Sequence, residues 1–209
     1  MISTRVLNTR TKRITATLAL ATASIGVLAG CSPAPFSSAP LSTSTPSPAS
    51  SSSSGKVTTI VNELAGGTTI HQVSAGDIGL TINYYSELNM AKWTASANKP
   101  VSLSLKASYN GPKKQRVYLA SLTETTQVNG PKGALTAPAP FADQSTVTPG
   151  YLIRSPYTYS QTVILPALDP KATSVTLTFT YALLLQAEPG SKTYAKQTAV
   201  DTLTVAIAH

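Results

Sequence analysis

Residues 174–191 read SVTLTFTYALLLQAEPGS. From Val175 onward, six apolar side chains occupy alternate positions, and threonines fill the first three positions between them. Such a period of two indicates a β-strand with one buried face. The tetrapeptide Glu188-Pro189-Gly190-Ser191 then places Pro and Gly as a type II turn requires. We therefore predict a strand near 173–187 that this turn joins to a strand near 193–207 as an antiparallel hairpin.

The same alternation marks residues 100–109, where Val101, Leu103 and Leu105 are separated by serines. The surrounding sequence is rich in Thr, Val, Ile and Tyr, which suit pleated and half-buried strands. Further strands are predicted near 68–74, 78–86, 115–125 and 157–165. Residues 86–93 and 58–64 each fit either a short helix or a strand.

Two copies of one tetrapeptide flank the predicted strand 115–125. Asn110-Gly111-Pro112-Lys113 precedes this strand, and we predict that it forms a hairpin turn from 100–109. Asn129-Gly130-Pro131-Lys132 follows it. Because the two copies lie at opposite ends of one strand, the basic residues at its start cannot form a single patch with Lys132.

These elements predict an all-β domain. Seven or more strands with short antiparallel links are typical of a two-sheet β-sandwich, with a small barrel as the alternative. A strand, a Leu165-Pro166 corner, a strand containing Tyr181, a hairpin and a final strand follow one another over roughly 100–209. This order resembles immunoglobulin-like and fibronectin III-like domains, and the resemblance implies an antiparallel sandwich.

The first thirty residues have the pattern of an export signal. Arg5, Arg10, Lys12 and Arg13 form a basic start, and an uncharged apolar run follows from 14 to 29. The next four-residue motif, Leu28-Ala29-Gly30-Cys31, resembles the lipobox of bacterial lipoproteins. The resemblance implies that a diacylglycerol is joined to the Cys31 sulfur and that the signal 1–30 is cleaved before it. We therefore expect a lipid-anchored protein on the extracytoplasmic face of the cell membrane.

A tether is predicted over 31–55. Residues 32–55 contain eleven Ser, five Pro and no charged residue, so this segment cannot bury enough apolar surface to become ordered. The folded domain is expected over 56–209.

Composition excludes several classes of function. The whole chain has 16 basic and 8 acidic residues, but four of the basic residues belong to the signal, so the mature charge falls from +8 to about +4. A nucleic-acid partner is not expected, because it needs a concentrated basic face. Cys31 is the only cysteine, so neither a disulfide nor a cysteine metal site is expected, and no cofactor is predicted.

Catalytic chemistry also has little basis in the sequence. His71 lies inside a predicted strand, His209 is the last residue, and no two carboxylates lie within four residues of each other. A nucleophilic mechanism would need His71 and a positioned partner. We predict a structural or surface role for His71, no metal site and no enzyme.

A ligand surface is predicted around four residues, Tyr151, Arg154, Tyr157 and Tyr159, in and after the Pro-rich stretch 129–156. Long connections of this kind are often functional, and aromatic rings beside an arginine are suited to a sugar ring or a peptide. We expect a binding module for an envelope glycan or protein. The alternative is a structural or assembly subunit of an envelope complex, and a small hydrolase is the least favoured class.

Overall fold

The computed structural model describes residues 60–111 and 114–209, so the predicted signal, Cys31 and the tether lie outside the described residues. The described part contains ten strands and one short 3-10 turn. The strands are β1 Thr68–Ala75, β2 Ile78–Tyr85, β3 Lys99–Tyr109, β4 Val117–Gly130, β5 Gly133–Leu135, β6 Phe141–Gln144, β7 Tyr151–Leu152, β8 Tyr159–Leu165, β9 Ser174–Gln186 and β10 Tyr194–Ala206.

The strands form two sheets. The first sheet has the order β1-β2-β3-β8, and the second has β10-β9-β4, with the short strands β5, β6 and β7 along the other side of β4. Every pairing between these strands is antiparallel. The predicted all-β antiparallel sandwich is confirmed, and the barrel alternative is wrong because the two sheets are separate.

Alternation along the strands forms the core between the sheets. In β9, Leu177, Phe179 and Tyr181 are buried, whereas the threonines between them are only partly covered. In β3, Val101, Leu103 and Leu105 are fully buried in the same core. Each sheet therefore presents one apolar face to the other, as strands with one covered face require.

The hairpin between β9 and β10 is confirmed. Tyr194 pairs with Gln186, and the register continues to Ala206 and Ser174. Ser191 N–H donates to the carbonyl oxygen of Glu188 at 3.0 Å. Gly190 has a φ of +83°, which is the left-handed value that the third position of a type II turn needs.

The predicted hairpin at Asn110-Gly111-Pro112-Lys113 is wrong. The strand β3 pairs with β2 and β8, whereas β4 pairs with β9 and the three short strands, so the chain crosses from one sheet to the other. Pro112 and Lys113 themselves lie outside the described residues. The apolar faces of β3 and β4 meet across the core instead of sharing one sheet, because strands that pack face to face bury both faces.

The Pro-rich stretch 129–156 is also not a long loop. It contains β5, β6 and β7, each of which pairs with β4. The second Asn-Gly-Pro-Lys copy joins β4 to β5, where Gly130 pairs with Gly133. Lys114 and Arg116 precede β4 and Lys132 follows it, so these basic residues do lie at opposite ends of one strand.

The structure distinguishes the alternatives for the two segments, 86–93 and 58–64, that fit either a helix or a strand in the sequence. Within 86–93, Met90–Lys92 form the 3-10 turn, and the Asn89 side chain accepts a hydrogen bond from Ala91 N–H at 2.9 Å. The described part of 58–64 is neither helix nor strand and ends in a turn. Ile60 and Val61 line a surface cavity of about 580 Å³ with Asn129–Pro131. The described chain therefore enters the sandwich at the end where β4 finishes.

Candidate functional site

The structure divides the four predicted ligand residues into two pairs. The rings of Tyr151 and Tyr159 stack on each other with centroids 5.4 Å apart. Tyr159 is only 9% exposed and its hydroxyl donates to Asp143 Oδ2, so this pair is largely occupied within the fold. Burial and the hydrogen bond to Asp143 raise the pKa of Tyr159. Arg154 and Tyr157 instead lie together on a surface groove.

We call this surface the cationic groove. It has a volume of about 210 Å³ and is lined by Lys114, Gln115, Arg116, Leu152, Arg154, Ser155 and Tyr157. Strand pairing brings its two halves together, because Leu152 in β7 pairs with Tyr118 in β4, and Ile153 N–H donates to the Val117 carbonyl. The sequence did not predict this contact between β7 and β4, because the two residues of β7 and the residue after it are too few to show a strand pattern.

Arg154 is held by backbone and side-chain contacts. Ala107 N–H donates to the carbonyl of Ile153 at 2.7 Å, and Ser155 N–H donates to the carbonyl of Ala107 at 3.2 Å. The Arg154 guanidinium donates to the Gln115 carbonyl and lies 6.0 Å from the centroid of the Tyr109 ring. These contacts fix the position of the positive charge before any ligand arrives, which reduces the entropy lost on binding.

Tyr157 is the exposed aromatic residue of the groove. Its backbone N–H donates to the Arg154 carbonyl at 3.1 Å, which sets the two residues in one turn, and 56% of the residue is exposed. Most tyrosine rings in this core are buried, as Tyr84 and Tyr181 are. The Tyr157 side chain is therefore accessible to a partner without any change in the fold.

The groove is positively charged. Lys114, Arg116 and Arg154 line it, and no carboxylate is among its lining residues in the described part of the chain. Arg116 is exposed, and a hydrogen bond to the Tyr118 side chain, with its associated charge interaction, raises the pKa of its guanidinium. Guanidinium groups are suited to carboxylate and phosphate oxygens because their planar N–H groups can donate in pairs.

A second polar cluster links the two sheets. His71 in β1 has Nδ1 at 2.9 Å from Asp201 Oδ2 in β10 and Nε2 at 3.2 Å from Glu63 Oε1. The Tyr84 hydroxyl donates to Asp201 Oδ2 at 2.9 Å and lies 2.7 Å from the hydroxyl of the fully buried Tyr181. This polar chain runs from the surface into the core, and burial raises the pKa of both tyrosines.

Within this cluster, His71 contacts two carboxylates. Each ring nitrogen lies within hydrogen-bond distance of a carboxylate oxygen. The contacts connect β1 to β10, which are edge strands of opposite sheets. Among the described residues, no group of three His, Cys, Asp or Glu side chains is arranged to hold a metal ion. The geometry is that of a bridge across the side of the sandwich.

Two further charged groups are buried in the core layers. The Lys99 ammonium is surrounded by backbone carbonyls, and burial lowers its pKa. Glu124 is 2% exposed and accepts a hydrogen bond from the Thr126 hydroxyl at 2.6 Å. Burial raises the pKa of Glu124, and this hydrogen bond partly opposes the rise.

Comparison with protein-family models and with curated proteins does not identify a family for this chain. No protein-family model matches the chain, and no curated protein matches it significantly. Among the residues that the structure describes, no helix is long and apolar enough to cross a membrane. The sequence motifs and the cationic groove are therefore the features that bear on function.

Proposed function

We propose that this protein is a lipid-anchored binding module of a bacterial cell envelope. Cys31 carries the lipid, residues 31–55 form the tether, and the sandwich presents the cationic groove to an envelope partner outside the cytoplasm. The partner is a glycan or a protein, and not a nucleic acid. The module is proposed to act by binding rather than by catalysis, and without a cofactor. The likeness to immunoglobulin-like and fibronectin III-like domains is part of this proposal.

The anchor rests on the motif at Cys31. A diacylglycerol supplies two acyl chains, and each buried CH₂ contributes about 0.8 kcal/mol, so two chains hold a protein stably on a bilayer where one does not. The apolar run 14–29 is shorter than the roughly twenty residues of a membrane-spanning helix. These properties fit a signal that is removed and an anchor that is added.

The groove supports the binding role through its position, and this is the observation that carries the proposal. Lys114 and Arg116 precede the start of β4, whereas Ile60 lies beside its end at Asn129–Pro131. Because β4 has 14 residues at about 3.3 Å each, the two ends are roughly 40 Å apart. The first described residues of the domain therefore lie at the end of β4 opposite the groove.

Replacing Cys31 by Ser is expected to abolish incorporation of labelled fatty acid and to release the protein from membranes or leave its signal uncut. The hydroxyl of serine cannot take the thioether that the lipobox resemblance implies. Metabolic lipid labelling and membrane fractionation measure both effects. Unchanged membrane attachment of Cys31→Ser would contradict the proposed anchor.

Binding to isolated envelope glycan is expected to weaken in Arg154→Ala and in Tyr157→Ala by about tenfold each, because each removes a direct contact. Lys132→Ala is the matched control, since it removes an exposed positive charge at the other end of β4. Sedimentation of the purified protein with the glycan gives the affinity, and circular dichroism confirms the fold of each variant. Equal binding by all four proteins would contradict a ligand surface here.

A second candidate function, a structural or assembly subunit, is favoured by exposed apolar residues on edge strands. Ile70 in β1, Ile164 in β8 and Val200 in β10 are each more than half exposed. Edge strands with exposed apolar residues are common pairing surfaces. Crosslinking in intact cells distinguishes the two candidates by whether the crosslinked residues lie at the groove or along these strands.

A further inference from the structure

We propose that the cationic groove recognises an anionic group carried by a sugar polymer of the envelope, a carboxylate or a phosphate ester. This inference rests on the proposed function and specifies its ligand. Three cationic residues, Lys114, Arg116 and Arg154, line this groove of about 210 Å³, and no carboxylate is among its lining residues in the described part of the chain. A groove lined by charges of one sign attracts ligands of the opposite sign.

The two guanidinium groups define the chemistry. The Arg154 guanidinium donates to the Gln115 carbonyl and lies near the Tyr109 ring, and Arg116, just before β4, is exposed and lines the same groove. Hydrogen bonds between guanidinium N–H groups and anionic oxygens are stronger than those to neutral acceptors. A neutral sugar hydroxyl would leave these charges uncompensated, whereas a carboxylate or phosphate oxygen compensates them.

Tyr157 supplies the preference for a sugar. Tyr157 is more than half exposed, lines the same groove as Arg154 and donates its backbone N–H to the Arg154 carbonyl, so the groove combines a cation with an exposed aromatic ring. Aromatic rings with one polar end are suited to surfaces that are partly apolar and partly wet. A sugar ring that bears a negative group matches this pair of contacts better than a free inorganic ion, which has no apolar face.

The test measures binding of the purified full chain to four probes. These are the isolated envelope glycan, the same glycan with its carboxylates reduced to alcohols, the same glycan with its phosphate esters hydrolysed, and phosphatidylglycerol vesicles. One of the two chemical treatments is expected to weaken binding about tenfold or more, and this treatment identifies the anionic group. Arg116→Ala is expected to cause a similar loss, whereas Lys132→Ala keeps the affinity of the unaltered protein. Rising salt is expected to weaken binding to the native glycan.

Each of the other outcomes contradicts a different part of the proposal: the charge of the ligand, the glycan partner or the polymer. If both treated glycans bind as well as the native glycan while Arg154→Ala and Tyr157→Ala still weaken binding, the ligand is neutral and this inference fails, but the binding role survives. If no form of the glycan binds, both the inference and a glycan partner fail. If the vesicles bind more tightly than the glycan and depend on Arg116, the groove recognises lipid and the polymer is excluded.

Discussion

Replacing Lys99 by Met is expected to lower the free energy of unfolding by about 3–5 kcal/mol. Lys99 is fully buried, and the three N–H donors of its Nζ are shared among four backbone carbonyls, those of Thr94 at 3.2 Å, Ala95 at 3.4 Å, Ala97 at 2.6 Å and Pro166 at 3.0 Å. Methionine keeps most of the volume but removes every donor. The carbonyls would then lose this partner, and removing one side of a hydrogen-bonded group costs more than the hydrogen bonds themselves contributed.

The ammonium holds two chain segments together at one end of the first sheet. The carbonyls of 94–97 belong to the loop before β3, and Pro166 follows the end of β8, where Lys99 pairs with Leu165. Burial disfavours the charged amine and lowers its pKa, whereas the ring of carbonyl oxygens favours it, because only the ammonium form offers three donors. We expect the second effect to dominate at neutral pH, because the ammonium lies within hydrogen-bond distance of four carbonyl oxygens.

Lys106→Met is the control for this prediction. Lys106 lies on the same strand as Lys99 but is exposed, so its replacement changes charge and side-chain shape without uncovering buried carbonyls. Urea denaturation of both variants and of the unaltered protein gives the three free energies of unfolding. If Lys99→Met unfolds at the same urea concentration as Lys106→Met, the buried ammonium contributes no net stability.

The seven longer strands were predictable from sequence because each carries its own signal. In β9 the alternation of Leu177 and Phe179 with threonine already distinguishes the buried face from the partly exposed face, and Pro189-Gly190 determines the turn that follows. These are local properties, determined by neighbouring residues along the chain. The hairpin could therefore be predicted from residues within one short stretch.

The assignment of strands to sheets was not predictable in the same way. Asn110-Gly111 fits a tight turn, yet β3 and β4 belong to different sheets. A turn sequence constrains only the local backbone, whereas strand pairing depends on which edges are already occupied by β2, β8 and β9. The short strands β6 and β7 escaped prediction for a related reason, because four or two residues are too few to show a period.

The candidate site was predictable only in part. Arg154 and Tyr157 are close in sequence and line the same groove, whereas Tyr151 and Tyr159 stack on each other and Tyr159 donates to Asp143. Arg116 joins the groove from a segment almost forty residues earlier, through the pairing of β7 with β4. Similarly, Glu63, His71 and Asp201 share no spacing in the sequence and meet only because β1 and β10 close one side of the sandwich.

Replacing Asp201 by Ala is expected to lower the free energy of unfolding by about 3 kcal/mol. Its carboxylate accepts from the Tyr84 hydroxyl at 2.9 Å, from Thr202 N–H at 2.9 Å and from His71 Nδ1 at 2.9 Å. Alanine leaves the Tyr84 hydroxyl in the core with only Tyr181 beside it and removes one of the two carboxylates that face His71. Removing one partner from a buried polar network costs more than the average hydrogen bond contributes.

A double-mutant cycle with Tyr84→Phe separates this network from a general effect of losing charge. Tyr84→Phe alone is expected to cost about 1–2 kcal/mol, and the double variant is expected to cost less than the sum of the two single variants, because both remove the same hydrogen bond. Asp77→Ala, which removes an exposed carboxylate from the turn between β1 and β2, is expected to change the free energy of unfolding by less than about 0.5 kcal/mol. Strict additivity of Asp201→Ala and Tyr84→Phe in urea denaturation would show that the two side chains are not coupled, and that the polar chain from His71 to Tyr181 does not act as a unit.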